Sequence, residues 1–238
     1  MSEASANSSV NYWVIVPAAG SGRRFAAPLP KQYVLLANKP VLAHTLSNLL
    51  AVPDLSAIVL VHSPEDTAWQ SISEIQHKKI CTTIGGDERV DSVRNGLLAL
   101  ADRAQANDWV LVHDAARPCC FSEDIATLIH ILADHPVGGL LAMPITDTVK
   151  RSDLQQHSIE TVDRNSLWRA QTPQMFRYGL LMDALNLPEG LPVTDEAQAI
   201  ERSGFQPLLV KGKAANIKIT HQDDLPLAEF YLSQRESQ

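Results

Sequence analysis

Val14-Ile15-Val16-Pro17-Ala18-Ala19-Gly20-Ser21-Gly22-Arg23-Arg24-Phe25, continued by Ala26-Ala27-Pro28-Leu29-Pro30-Lys31-Gln32, is the stretch around which this 238-residue chain is organised. A short apolar, β-branched run empties into small residues, and positive charges follow. Small side chains let a ligand approach the backbone, and glycine tolerates the sharp turn this needs. Exposed backbone N–H groups beside cations suit an anion. The charge pattern agrees. Net charge is −7, yet Asp and Glu are absent from residues 4–53, where Arg23, Arg24, Lys31 and Lys39 sit. A locally basic loop in an acidic protein suits a small polyanion better than nucleic acid, which needs a wider basic face. The stretch can also be read as an ordinary strand-to-helix turn. It is not a dinucleotide fingerprint, because Phe25 holds the third glycine position, and no Gly-Lys-Ser/Thr follows to make a P-loop.

The length allows one large α/β domain or two small ones. A hydrophobic fraction of 45% and a charged fraction of 20% are ordinary for a soluble globular protein. The acidic balance argues against a nucleic-acid or membrane-surface binder. Residues 1–9 are polar, without the apolar core of a signal peptide, and read as a disordered tail. No apolar run is long enough to span a bilayer. Cys81, Cys119 and Cys120 are odd in number and lack a C-x-x-C spacing, which fits a reducing cytoplasm. The histidines show no H-x-x-x-H spacing, so no dedicated zinc site is expected.

Apolar runs at 12–16, 57–62, 109–113 and 138–144 read as buried strands. Between them, 40–51, 65–76, 92–104 and 122–134 carry helical spacing. This alternation predicts an α/β fold: a Rossmann-like, mostly parallel sheet with helices on both faces. Ligands on such sheets bind beyond the carboxyl ends of the strands. That puts the 18–31 loop, the 85–92 loop and Asp114 on one rim. Gly85-Gly86-Asp87-Glu88-Arg89-Val90-Asp91-Ser92 reads as a capped loop or as a nucleoside seat, with Asp91 or Ser92 as the helix cap. Asp114, at a strand end, suits Mg²⁺ or a turn cap or a pair with Arg117. His113 reads as a packed strand residue. Beyond Pro144 the texture turns polar, and runs at 146–151 and 159–164 predict a hairpin arm over about 145–168. Such an arm needs a partner surface, so a homodimer is expected. Thr194 is a plausible cap for the helix opening at Thr194-Asp195-Glu196-Ala197. Residues 208–210 and 216–220 read as short strands, and 223–234 as the last helix. No linker divides 10–238, which reads as a single domain.

The motifs then form a series: Pro17-Ala18-Ala19-Gly20-x-Gly22-x-Arg24, Pro30-Lys31-Gln32-Tyr33, Gly85-Gly86-x-x-Arg89, His113-Asp114-Ala115-Ala116-Arg117-Pro118, Asp147-Thr148-x-Lys150, Asp163-Arg164, Gln171-Thr172-Pro173-Gln174, Thr194-Asp195-Glu196 and Asn216-Ile217-Lys218. Together they resemble the 2-C-methyl-D-erythritol 4-phosphate cytidylyltransferases of the non-mevalonate isoprenoid route, from about residue 14 to 232. The first loop occurs broadly among nucleotidyltransferases, whereas the later motifs in this order are far more specific.

The resemblance implies a nucleotidyltransferase domain of the nucleotide-diphospho-sugar transferase type, with a β-arm swapped between subunits of a homodimer. It implies transfer of the cytidylyl group of CTP to 2-C-methyl-D-erythritol 4-phosphate, with Mg²⁺ and release of pyrophosphate. By matched position, Arg24 and Lys31 stabilise the transition state, and Arg164 and Lys218 position the substrate phosphate. Ala18, Ala19, Gly20, Gly22, Gly86, Asp87, Ser92, Asp114 and Ala115 fall at CTP-contacting positions. Thr148, Thr172 and Thr194 fall near the methylerythritol phosphate. Phe25 departs from a common methionine. The chain ends shortly after its last helix, so the fused cyclase domain of some relatives is not expected.

The implied chemistry suits the residues. A substrate phosphate oxygen is ionised near neutral pH and needs no general base, consistent with the lack of an obvious Ser–His–Asp or Cys–His pair. The barrier is electrostatic, because one anion must attack the α-phosphate of another. Two rivals remain at this level: a cytidylyltransferase for another polyol phosphate such as ribitol 5-phosphate, and a non-catalytic nucleotide-binding protein.

Overall fold

The computed structural model describes residues 10–20, 25, 29–186 and 193–236. Strands β1 (Tyr12–Pro17), β4 (Leu55–His62), β5 (Ile80–Ile84), β6 (Trp109–Val112), β7 (Gly138–Pro144), β10 (Trp168–Arg177) and β11 (Leu208–Lys211) form a seven-stranded sheet in the order β11-β7-β10-β6-β1-β4-β5. Six run parallel, and β10 lies antiparallel between β6 and β7. The mostly parallel, doubly covered sheet read from the sequence is therefore the fold. Strand β1 shows why. Val14 and Val16 pack on one face with Leu42, Leu46 and Ile125, while Trp13 and Ile15 pack on the other with Val93, Leu97 and Leu181. Because successive side chains point to opposite faces, a strand apolar at every position must be covered twice. Helices α1 (Val41–Leu50) and α3 (Ser122–Leu132) cover the first face. Helices α2 (Arg89–Leu98), α4 (Tyr178–Leu185) and α5 (Glu196–Arg202) cover the second. Helix α6 (Asp224–Glu236) closes a third apolar cluster around Phe25, Leu36, Val41 and Ile219.

Several expectations fail for local reasons. Residues 65–76 form two 3-10 turns, Ala68–Ser71 and Ser73–Gln76, and no α-helix. Asp66 accepts the Ala68 N–H and its carbonyl takes the Trp69 Nε1–H, and such side-chain bonds compete with helix formation. Residues 216–220 form no strand: the Asn216 carbonyl takes the Arg117 and Gln171 side chains, and the Thr220 N–H goes to Asp224. Strand β5 escaped notice because it sits at the sheet edge and is only partly buried. Helix α2 starts earlier than expected. Glu88 is its N-cap and closes a reciprocal capping box with Asp91, so neither Asp91 nor Ser92 is the cap. Thr194 is not the cap of α5 either; Asp195 accepts the Gln198 N–H in that role. Within the stretch 145–168, β8 (Val149–Ser152) pairs with β9 (Ser158–Val162) as a hairpin in a separate two-stranded sheet. The two-residue strands β2 (Leu35–Leu36) and β3 (Lys39–Pro40) complete the set. No helix among the described residues is long and apolar enough to cross a membrane. The tail at 1–9 lies outside the described residues.

The amino end of β1 is clamped to β6 by Asp108, which is buried and accepts the Asn11 N–H, the Trp13 Nε1–H and the Gln105 N–H, each at 3.0 Å. Burial alone would push this carboxyl up. The donors, led by the Gln105 N–H, outweigh burial and hold it below its ordinary value. A depressed folded-state value contributes stability that is present above the unfolded value of about 4 and lost as pH falls through the folded one. Asp108→Ala should therefore lose about 2–4 kcal/mol at neutral pH in urea unfolding, a gap that narrows on acidification below about pH 4.

Candidate active site

The sheet order reverses beside β1, so the loops leaving β1 and β6 diverge and leave a crevice. A cleft of about 340 Å³ opens there. Ala18, Ala19 and Gly20 floor it from β1, Gly86, Asp87, Glu88 and Arg89 wall it from the β5–α2 loop, and Asp114 and Ala115 close it from β6. Lys31, Gln32 and Lys218 complete the rim. Close packing sets its width. A Cβ on Gly85 would lie 2.6 Å from Ala19 Cβ and 2.7 Å from Ser92 Oγ, so only glycine lets the two walls meet.

The walls are held by side chains. The Gln32 Nε2–H donates to the Ala18 carbonyl at 2.9 Å, which fixes the β1 loop from behind. Lys31 starts the 3-10 turn Lys31–Tyr33, anchored by the Tyr33 hydroxyl donating to Asp66 at 2.5 Å. Burial, reinforced by Asp66, pushes the Tyr33 phenol far up, so it remains a donor. The Ser92 hydroxyl accepts the Gly86 N–H at 3.2 Å and donates to the Glu88 carbonyl at 3.3 Å. Ser92 thus shapes from within the loop that the sequence reads as a nucleoside seat.

Asp114 is the electrostatic centre. Its Oδ2 lies 3.0 Å from Lys218 Nζ and 3.2 Å from Arg117 Nε, and its Oδ1 lies 3.4 Å from Arg89 Nη2. Burial would push this carboxyl up, but Arg89, Lys218 and Arg117 together hold it far below the carboxylate range. Arg89 is in turn gripped by buried Glu196, with Nη1–Oε1 at 2.5 Å and Nη2–Oε2 at 3.1 Å. Burial works against the Arg89 charge, and Glu196 and Asp114 more than offset it. The Asp114 N–H donates to Thr172 Oγ1 at 3.0 Å, and the same hydroxyl meets His113 Nδ1 at 3.0 Å. Burial pushes the His113 imidazole down to about 4, so it is neutral at pH 7, as its reading as a packed strand residue implies.

Helix α1 supports this loop through Thr45 Oγ1 on the Ala115 carbonyl and Asn48 Nδ2 on the Pro118 carbonyl. Arg117 Nη1 and Gln171 Nε2 both donate to the Asn216 carbonyl, and Asn216 Nδ2 donates to the Thr172 carbonyl. Those bonds carry Lys218 into the cleft. The Thr172–Pro173 peptide bond is cis. Gln174 Nε2 donates to Asp195 Oδ2 and its Oε1 accepts the Ala197 N–H, seating the start of α5 against β10.

Of the residues singled out from the sequence, Ala18, Ala19, Gly20, Lys31, Gly86, Asp87, Ser92, Asp114, Ala115 and Lys218 converge on the cleft. Gly22 and Arg24 lie outside the described residues. Thr172 is buried beneath Asp114 and lies outside the lining. Thr148 and Arg164 are exposed on and beside the arm, and exposed Thr194 bonds Gln198 through its N–H and hydroxyl. Arg89, Glu196 and Gln32 belong to the site's framework yet received no role from sequence. They lie within the quoted motifs Gly85-Gly86-x-x-Arg89, Thr194-Asp195-Glu196 and Pro30-Lys31-Gln32-Tyr33, but nothing in the spacing pairs Arg89 with Glu196.

Among the described residues no cluster of three or more His, Cys, Asp or Glu could hold a metal ion. Asp114 still fits one mode of Mg²⁺ binding. Among the described residues its Oδ1 takes the long Arg89 contact at 3.4 Å, and this ion is commonly held by one carboxylate plus substrate phosphates.

A cleft of this size, lined by small residues and cations at the switch point of a mostly parallel sheet, is the arrangement of an α/β nucleotidyltransferase. The chain matches the family model of 2-C-methyl-D-erythritol 4-phosphate cytidylyltransferase over residues 12–234. A protein of that name from Hahella chejuensis is 48% identical over 222 residues, covering 92% of both chains. One from Chromobacterium violaceum is 50% identical, covering 93% of this chain and 98% of its own. A solved 4-diphosphocytidyl-2C-methyl-D-erythritol synthase superposes with a TM-score of 0.83 at 38% identity over 94% of this chain and 99% of that one. The Francisella tularensis cytidylyltransferase gives 0.79 at 35% identity, over 93% and 99%. The chain belongs to the 2-C-methyl-D-erythritol 4-phosphate cytidylyltransferase family.

Asp114→Asn removes the one anion that Arg89, Arg117 and Lys218 share. It should destabilise the fold by about 3–5 kcal/mol in denaturant unfolding, because partly buried cations then face one another.

Proposed function

We propose that this cleft transfers the cytidylyl group of CTP to 2-C-methyl-D-erythritol 4-phosphate, giving 4-diphosphocytidyl-2-C-methyl-D-erythritol and pyrophosphate. Family membership supports the reaction, and the geometry that carries it is the small-residue floor of Ala18, Ala19 and Gly20 facing Lys31 and the Asp114–Lys218 pair. An oxygen of the acceptor phosphate attacks the α-phosphorus of CTP. The α–β bridging P–O bond breaks, and pyrophosphate leaves with the electron pair. No proton has to move first.

The nucleotide lies against Ala18, Ala19, Gly20, Gly86, Asp87, Ser92 and Ala115, with Gly22 following in the same loop. Small side chains there let phosphate oxygens meet backbone N–H groups. Lys31, with Arg24 on the same loop, offsets the negative charge that collects on the departing pyrophosphate. Lys218, paired with Asp114 in the cleft, transfers to the acceptor phosphate. Asp114 would hold Mg²⁺ together with phosphate oxygens, and that ion would neutralise and align the triphosphate. Thr172 acts from beneath, fixing Asp114 through its N–H.

Arg164, Thr148 and Thr194 complete the acceptor site, with Arg164 and Thr148 supplied in trans by the arm of a second copy. A two-stranded hairpin standing off the main sheet is marginal in water by itself, and its Leu154 and Ile159 are exposed. Both features suit a homodimer through the arm at 145–168, with 10–238 as one domain.

Pyrophosphate release, followed across the four common nucleoside triphosphates with methylerythritol and ribitol phosphates, tests the reading. Turnover should require CTP and the methylerythritol acceptor; preference for ribitol 5-phosphate, or no release at all, would overturn it. In the same assay Lys31→Ala should lose about 100-fold or more in kcat with little change in thermal midpoint. Mixing Arg164→Ala with Lys31→Ala chains should restore part of the activity through hybrid dimers, and no recovery would mean that Arg164 acts within one subunit.

A further inference from the structure

Three cations share Asp114, but they are not equally held. Arg117 is buried and tied by a second bond to the Asn216 carbonyl at 2.8 Å. Arg89 is tied by both of its terminal nitrogens to Glu196. Among the described residues Lys218 pairs with Asp114 alone, 3.0 Å from Oδ2, on a side chain 35% exposed. The carboxylate therefore has two fixed counter-ions and one that can leave.

The fixed state of Arg89 depends on Glu196. A planar fork matched to a carboxylate loses both bonds if it turns. Glu196 itself is set rigidly. It is 1% exposed, and it opens α5 just after Asp195, whose side chain caps that helix and takes a bond from Gln174 on β10. Without Glu196, Arg89 would be free to leave Asp114 and follow an incoming phosphate. Asp114 would then hold Lys218 more tightly and withhold it from the substrate.

We propose that Glu196 is a positioning residue for catalysis: by gripping Arg89 it keeps a permanent counter-ion on Asp114 and so releases Lys218 to the acceptor phosphate. Glu196 touches no substrate and acts through Arg89. This inference rests on the reading of the cleft as a cytidylyl-transfer site.

A double-mutant cycle with Glu196→Gln, Arg89→Gln and the double variant tests it, with kcat, KM for each substrate and CTP affinity by calorimetry measured on folded protein. Glu196→Gln should lower kcat at least about tenfold and raise KM for the acceptor more than for CTP. In the Arg89→Gln background the same change should cost nothing further, because the route through Arg89 is already cut. A kcat within about twofold of wild type, or losses that multiply, would overturn the proposal. If Glu196→Gln does not fold, Arg89→Lys carries the test. It keeps the ion pair and loses the fork, and should show the same split between the two KM values; unchanged kinetics would overturn the idea. Wild-type chain that binds no CTP and releases no pyrophosphate would refute the reading of the cleft, whereas active wild type with indifferent variants refutes only the role of Glu196.

Discussion

A single buried carboxylate surrounded by cations governs this molecule. Asp114 would be costly to bury ionised on its own, and each of its partners would be costly to hold near the others without it. Together they neutralise one another at the mouth of the cleft, on groups drawn from four separate segments: β6 and its loop, the start of α2, the start of α5 and the 216–218 loop. The ionic cluster is thus a junction as well as a site, since it can form only when those segments have docked.

The uncharged bonds around it have the same character. Thr172 spans the backbone of Asp114 and the ring of His113, Asn216 reaches the Thr172 carbonyl, and Gln174 reads both Asp195 and the Ala197 N–H. Motifs far apart in the chain turn out to be partners in a common polar lattice. Their amides supply donors and acceptors together, which is what is needed where loop backbone is buried without a ladder of its own.

Legibility in the sequence followed the physics of each segment. Strands buried on both faces announce themselves as continuous apolar runs, so β1, β4, β6 and β7 could be read directly, and with them the rim where the cleft opens. Strand β5 could not, because an edge strand half in water has no such run. Strand β10 was hidden by Thr172-Pro173, since proline weakens any strand pattern, although here it marks the irregular register against β7. The small residues and lysines of the cleft were visible as a local composition. Arg89 and Glu196 were not, because a pair separated by 107 positions leaves no trace in spacing. Ser92 and Thr172 were recognised as important, yet geometry gives their hydroxyls internal duties.

The division of labour between scaffold and rim has an evolutionary consequence. Asp114, Arg117, Gln174 and Glu196 are committed to buried partners, so a change at any of them is felt by the fold as well as by the chemistry. Thr148, Arg164 and Thr194 stand exposed. If these outer positions meet the acceptor as proposed, its preference can drift there at little cost in stability, because their side chains hold no part of the buried lattice.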